Sequence, residues 1–306
     1  MAEIKTVGFV GTGIMGAPMA RNTAKAGFNV LAYNRTRAKA EALGGHGVRV
    51  ADSVAEVGAE ADAVVVMVPD TPDVLEVVEG PGGLAEAMRP GSVLVDMSSI
   101  SPGATRELSA RLAERGIAML DAPVSGGSWG AEQGTLAIMV GGEAAAVERM
   151  MPVFEAMGQR VTHMGPSGMG QTTKLVNQIL VAGTVSAVAE ALVFAAAHGA
   201  DLERTIEAVG AGAAGSWQLA NLGPRMARGD FAPGFMVRLQ QKDLRLILEA
   251  ADERRVPLAV TGVARALFTA LEAAGLGEEG TQAIIKAVER QANLTARQAP
   301  GDAAKQ

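Results

Sequence analysis

Residues 7–20 read VGFVGTGIMGAPMA, an apolar run that breaks into closely spaced glycines before apolar residues resume. Gly11, Gly13 and Gly16 stand in GxGxxG spacing, directly after a candidate strand and at the opening of a candidate helix. In that context each glycine has its own task. Gly11 permits a tight turn, Gly13 lets the backbone approach a pyrophosphate at the helix N-terminus, and Gly16 lets the helix pack closely on the sheet. Thr12, Ile14 and Met15 complete the loop. Glycines also end strands for purely structural reasons, so the weight comes from the context, a strand before the motif and a second strand after it.

Working outward, short β-branched runs alternate with helical patterns. Candidate strands are Thr6–Val10, Asn29–Tyr33, Ala63–Val68, Ser92–Asp96, Ala118–Leu120 and Leu136–Val140, with helical apolar spacing over 15–26 and 103–115. Near-continuous apolar strands separated by helices imply a parallel sheet covered on both faces. After about residue 165 the strand signals stop. Helical patterns follow over 170–198, 201–210, 216–228, 240–254, 258–275 and 279–293, punctuated by Gly199, Gly229, Gly275 and the Pro233-Gly234 pair. The expected architecture is an α/β Rossmann-type domain over 1–164 and an all-α domain over 165–295, with a frayed tail at 296–306.

The second candidate strand selects the dinucleotide. NAD sites usually place Asp or Glu at its end to hold the ribose 2′-hydroxyl. Here the strand ends in Tyr33, Asn34, Arg35 and Thr36. No carboxylate repels a 2′-phosphate, and Arg35 offers a planar fork that matches one, with Arg37 as an assistant. The alternative is that both arginines are ordinary solvated charges. NADP(H) is expected over NAD(H).

Composition narrows the partners. The 306 residues carry a net charge of −6 with no basic block, which argues against nucleic acid as the main partner. There is no cysteine, so thiol nucleophiles, disulfides and thiolate metal sites are excluded. His46, His163 and His198 are scattered without metal-ligand spacing, so no metal is expected. The stretch 179–197 is apolar enough to raise a membrane span, but Ser186 and Glu190 interrupt it, and a long core or interface helix is the preferred reading. A soluble cytoplasmic protein is expected.

Two further stretches carry chemistry. In 121–142, Ser125, Gly126 and Gly127 supply a hydroxyl and unobstructed N–H groups after a strand, a cradle suited to an anion or simply a flexible turn. At 170–178, GQTTKLVNQ places Lys174 at the front of an apolar helix, with Asn177 and Gln178 three and four residues on and sharing its face. A lysine is costly to bury without a partner, so it is either solvated or functional.

Four blocks together, GFVGTGIMGAPMARN (8–22), DAPVSGGSWGAEQGTL (121–136), GQTTKLVNQ (170–178) and QQKDLRL (240–246), resemble the β-hydroxyacid dehydrogenase family. The resemblance implies an oxidoreductase that interconverts a small carboxylate-bearing 3-hydroxy acid and its semialdehyde. It implies that Ser125, Gly126 and Gly127 bind the substrate carboxylate, that Lys174 is the catalytic acid/base and that Asn177 orients the substrate. Lys242 would close over cofactor and substrate, with Asp243 beside it. VMVPDTPD would put Val68, Pro69 and Asp73 near the adenosine and diphosphate, and Ser99 stands where the family usually has a threonine near the nicotinamide. Many relatives carry asparagine at the position of Asp73, which weakens that assignment. Trp217 follows a glycine-rich segment in the region that feeds the family's substrate pocket, although such aromatics are more often core.

A lysine acid/base fits the chemistry. Hydride addition to an aldehyde leaves negative charge on oxygen, and a positioned donor neutralises it. Partial burial and a nearby cation such as Lys242 would lower the pKa of Lys174 toward working pH. Imine reductases share this fold but generally lack the lysine, and a non-catalytic nucleotide-binding module would not need it. The apolar helix starting near 170 is also expected to pack against a second copy, giving a homodimer or homotetramer.

Overall fold

The structure is a computed structural model and describes residues 3–297. Packing divides the chain into two compact units, Met1–Leu175 and Val176–Gln306, with the dividing point inside a long helix, later than the expected 164/165 boundary.

The first unit is built on nine strands: β1 Thr6–Val10, β2 Asn29–Tyr33, β3 Val48–Val50, β4 Ala63–Val66, β5 Val93–Asp96, β6 Ala118–Asp121, β7 Val124–Ser125, β8 Leu136–Gly141 and β9 Gly158–Gly165. Their order is β3-β2-β1-β4-β5-β6-β8-β7, with β9 against β8. The first six are parallel, β8 runs antiparallel to β6 and β7, and β9 is parallel to β8. Strand order reverses at β1, between β2 and β4, and in open sheets of this kind ligands sit beyond the carboxyl ends of the strands at such a switch.

Alternate residues on a strand face opposite sides of the sheet, and both sides here are apolar. Val7, Phe9, Ala63, Val65, Val93 and Val95 join one core cluster with Met19, Met150 and Phe154. Val10, Val64, Val66 and Leu94 join the other with Val57, Leu108 and Leu112. Helices Gly16–Lys25 and Ala144–Met157 supply the first face, and Val54–Glu60 and Pro102–Ala113 the second. Runs such as AVVV and VLVD are therefore buried on both faces, which is why they lack alternation.

Three strands escape the sequence reading. β3 has three residues and β7 two, too short to carry a period. β9 reads GQRVTHMG, an edge strand with exposed polar positions. Helix Ala144–Met157 is masked by Pro152 in its interior.

The second unit is helical among the described residues apart from one isolated bridge, Met236 to Gly280. It continues the long helix Met169–Ala197 and adds Leu202–Gly210, Trp217–Asn221, Gly223–Arg228, Val237–Arg254, Ala259–Ala273 and Ile285–Ala292. Leu244, Phe268, Leu271, Ile284 and Ile285 form its buried centre. The expected helix 216–228 is two helices broken at Leu222, ahead of Gly223 and Pro224. The expected helix 279–293 opens as a 3-10 turn, Thr281–Ile284, and Glu278 and Glu279 lie ahead of it, paired with Arg238 and Lys286. Of the expected frayed tail, Ala296 is fully buried and its N–H bonds Glu289 Oε1, while Arg297 pairs with Glu289. Residues 298–306 lie outside the described residues.

Candidate active site

β1 ends at Val10 and the glycine turn begins at once. Gly11 has φ +98°, and a Cβ there would lie 2.2 Å from the Met67 carbonyl oxygen, so only glycine fits. A Cβ on Gly16 would lie 2.0 Å from the Gly11 carbonyl oxygen, which is how closely the helix start folds back on the turn. At Gly13 a Cβ would meet nothing within 4 Å. The glycine needed for packing is thus Gly16, whereas the absent side chain of Gly13 leaves open space.

That space suits a dinucleotide. The Thr12 hydroxyl is buried without a hydrogen-bond partner, and helix Gly16–Lys25 starts with no side-chain cap. First-turn N–H groups without an intrahelical partner attract anions. The Thr12 N–H donates to Asn34 Oδ1 at 3.0 Å, and Asn34 Nδ2 donates to the Thr36 carbonyl at 3.0 Å. Asn34 therefore spends its amide holding the turn against the end of β2. Ile14 projects into solvent and Met15 is the N-cap residue.

Beyond β2 lies a hollow of about 170 Å³, walled in part by Tyr33, Arg35, Arg37, Val50 and Asp52. Arg35 is exposed, with no ion pair among the described residues. Arg37 is already committed, at 2.8 Å to Glu41 and 2.6 Å to Asp52. Those two carboxylates raise the Arg37 pKa further above its ordinary value, Asp52 most strongly. Arg37 is thus a poor assistant to Arg35.

On the other side of the switch, the Val68 N–H donates to Ser98 Oγ at 3.0 Å, and the Ser98 N–H to Asp96 Oδ1 at 3.0 Å. Pro69 is exposed and Asp73 sits half-buried in the first turn of helix Thr71–Glu79, which Asp70 caps. The Ser98 hydroxyl thus ties the end of β4 to the end of β5. Ser99 is half-buried beside it.

β6 ends at Asp121, and the Ser125–Gly127 segment follows as β7 and the start of helix Gly127–Gln133. Gly126 and Gly127 have φ +135° and +62°, backbone that side chains resist. Ser125 is half-buried, and Trp129 just beyond is 70% exposed.

Lys174 lies in the second turn of helix Met169–Ala197 and is 8% exposed, so the solvated-lysine alternative does not hold. Three residues ahead of it, Gln171 is wholly buried and bonds on three sides, and its backbone N–H bonds Asp121. Neither residue was singled out from sequence. Burial pushes the Asp121 carboxyl up from its ordinary value, opposed by backbone N–H groups that include those of Gly168 and Gln171.

In the second unit, Asn177 Nδ2 donates to Gln178 Oε1 at 2.7 Å and Gln178 Nε2 to Asp243 Oδ2 at 2.6 Å. Lys242 Nζ lies 3.0 Å from Asp243 Oδ1. Asp243 is 1% exposed and anchors Gln178 and Lys242, beside which the resemblance placed it. Trp217 is 65% exposed at the start of its short helix, which excludes a core role. Among the described residues no group of three or more His, Asp or Glu could hold a metal ion.

A doubly wound sheet with a glycine turn at its switch point is the architecture of a dinucleotide-binding protein. Two family models match: the NAD-binding domain of 6-phosphogluconate dehydrogenase over residues 6–165, and the NAD-binding domain of NADP-dependent 3-hydroxyisobutyrate dehydrogenase over residues 168–288. The chain is 43% identical over 289 residues to 2-hydroxy-3-oxopropionate reductase of Escherichia coli, covering 94% of this chain and 98% of that one. Among solved structures, 3-hydroxyisobutyrate dehydrogenase from Salmonella typhimurium is 34% identical with a TM-score of 0.83, over 92% of this chain and 99% of that one. The Mycobacterium tuberculosis 3-hydroxyisobutyrate dehydrogenase with L-serine is 32% identical with a TM-score of 0.86, over 93% and 99%. The chain belongs to the β-hydroxyacid dehydrogenase family and is an NAD(P)-dependent enzyme acting on CH–OH donors.

Proposed function

We propose that this enzyme interconverts a small 3-hydroxy acid and its semialdehyde, of the tartronate semialdehyde or 3-hydroxyisobutyrate kind, with NADP(H) preferred. The observation that carries the reading is the burial of Lys174 one turn beyond the strand-end network, in the unit that also holds the glycine turn and the Ser125–Gly127 loop. A lysine kept from solvent in a dehydrogenase is a proton donor or acceptor before it is anything else.

The glycine turn, with the Thr12 hydroxyl, would hold the pyrophosphate, and Arg35 the 2′-phosphate. When bound, the reduced nicotinamide supplies the hydride. Ser125 and the N–H groups of Gly126 and Gly127 hold the substrate carboxylate and fix the distance to its aldehyde carbon. Lys174 Nζ gives a proton to the oxygen as negative charge develops there, and in the reverse direction takes the hydroxyl proton. Asn177 orients the substrate, Lys242 serves substrate and cofactor with Asp243 as its counter-charge, and Trp217 contributes to substrate choice. Arg35, uncommitted where Arg37 is paired, supports NADP(H) over NAD(H).

The exposed apolar residues Val176, Leu180, Phe194, Val260 and Val263 support assembly into a homodimer or homotetramer. Sedimentation at micromolar concentration tests this, and a monomer refutes it.

The test of the activity is oxidation of NADPH with a panel of semialdehydes, by the parent and by Lys174→Ala. The variant should lose at least a thousandfold in kcat and keep NADPH binding. Retention of more than a tenth of parental turnover refutes Lys174 as the acid/base.

A further inference from the structure

The start of the long helix is held by a residue far away in sequence as well as by the local bond from the Met169 N–H to the Pro166 carbonyl. Asp121, at the end of β6, accepts the Gly168 N–H on Oδ1 at 2.8 Å and the Gln171 N–H on Oδ2 at 2.8 Å, across 47 and 50 residues of sequence. A buried carboxylate on the first N–H groups of a helix satisfies donors that would otherwise be orphaned, and the helix dipole favours it there. No side chain can intrude. A Cβ on Gly170 would lie 2.3 Å from the Asp121 carbonyl oxygen, and one on Gly141 2.5 Å from Asp121 Oδ1.

The Gln171 side chain completes the attachment. Its Oε1 accepts the Ile100 N–H at 3.1 Å, and its Nε2 donates to the Ser98 carbonyl at 2.8 Å and to Asp96 Oδ2 at 3.3 Å. Ser98 in turn accepts the Val68 N–H. The carboxyl ends of β4, β5 and β6 are thereby tied to one helical turn, the turn before Lys174. Asp121 also begins the segment that runs into Ser125–Gly127.

We infer that Asp121 and Gln171 are positioning residues for the reaction: they set Lys174 against the Ser125–Gly127 loop, so that proton donor and carboxylate cradle share one origin. Hydride and proton transfer tolerate errors of about half an ångström, and a helix start held only by surface packing would not reach that precision. The inference rests on Lys174 as the acid/base, and the experiment separates the two.

Gln171→Met keeps the volume and removes every side-chain hydrogen bond, while Asp121→Asn keeps the shape but turns one acceptor into a donor facing an N–H. Folding is checked by circular dichroism. In whichever of the two folds, kcat should fall 10- to 100-fold and the NADPH Kd should change by much less than kcat, since residues 11–16 lie outside the network and only Val68 and Ser98, at its margin, border the expected cofactor side. In a Lys174→Ala background the same substitution should cost nothing further in residual turnover, because it acts through the lysine. A folded Gln171→Met or Asp121→Asn with parental kcat overturns the inference, as does an equal loss in the presence and absence of Lys174. If Lys174→Ala itself keeps parental turnover, the acid/base reading fails instead. If both variants fail to fold even with NADPH present, the network serves folding and the positioning role is refuted.

Discussion

A single methyl group placed on Gly13 should weaken dinucleotide binding by about 5- to 150-fold while leaving the protein at least as stable as before. A Cβ at this residue meets nothing within 4 Å, and its φ lies outside the left-handed region, so alanine fits the folded chain without strain. The substitution also narrows the unfolded ensemble, which adds about 0.4–1 kcal/mol of stability where the backbone is compatible. The cost appears only with the ligand, because the methyl occupies the space through which a pyrophosphate reaches the turn. Overpacking by one methyl costs roughly 1–3 kcal/mol, or about 5- to 150-fold in Kd. Gly16→Ala is the control with the opposite signature. Its Cβ would lie 2.0 Å from a backbone oxygen, so the helix start must move and the melting temperature should drop by several degrees. Titration with NADPH beside thermal melts of the free proteins reads both effects. Parental NADPH affinity in Gly13→Ala would refute the assignment of the turn to the pyrophosphate, and a lowered melting temperature would refute the open space.

Arg35→Ala should raise the KM for NADPH at least tenfold and leave that for NADH within twofold, and equal shifts for both would remove Arg35 from the 2′-phosphate. Phe154 is wholly buried on one face of the sheet, and Phe154→Ala should cost about 3–5 kcal/mol in urea unfolding; a cost under 1 kcal/mol would contradict the packing. The Arg225 guanidinium and the Ala232 N–H hold the Asp230 carboxyl below its ordinary value. A depressed folded pKa contributes stability above the unfolded pKa of about 3.9, and that contribution is lost as pH falls through the lower folded value. Asp230→Asn should therefore be less stable than the parent at pH 7, and the gap should shrink as pH falls below the unfolded value. The pair is exposed, so the difference at pH 7 should stay within about 1 kcal/mol, and a gap that does not change with falling pH would refute the ionic origin.

The fold was legible because its signals are local. Doubly buried strands such as AVVV declare themselves, and the glycines at 11, 13 and 16 carry their spacing with them. β9 was not legible, since an exposed edge strand has no apolar pattern to show, and Pro152 hid a helix whose packing tolerates it. The lysine could be chosen from its block, but the residues that seat it could not. Gln171 reads as an ordinary polar residue until strands 75 and 50 residues away bring Asp96 and Asp121 to it. Asp243 shows the same limit: sequence puts it beside Lys242, and only burial reveals that its carboxylate points to Gln178. Arg37 looked like a second phosphate ligand because its partners Glu41 and Asp52 are assigned by geometry alone.

The two tryptophans have a practical consequence. The chain has two Trp and one Tyr, and Trp129 and Trp217 are 70% and 65% exposed, one in each unit. Their indoles already emit from water in the native state, so unfolding should hardly change their spectrum. Fluorescence is then a poor witness to denaturation, and the helices must report it by circular dichroism. The same indoles emit where a reduced nicotinamide absorbs. Energy transfer to the dihydropyridine ring makes fluorescence a probe of occupancy that stays nearly blind to stability.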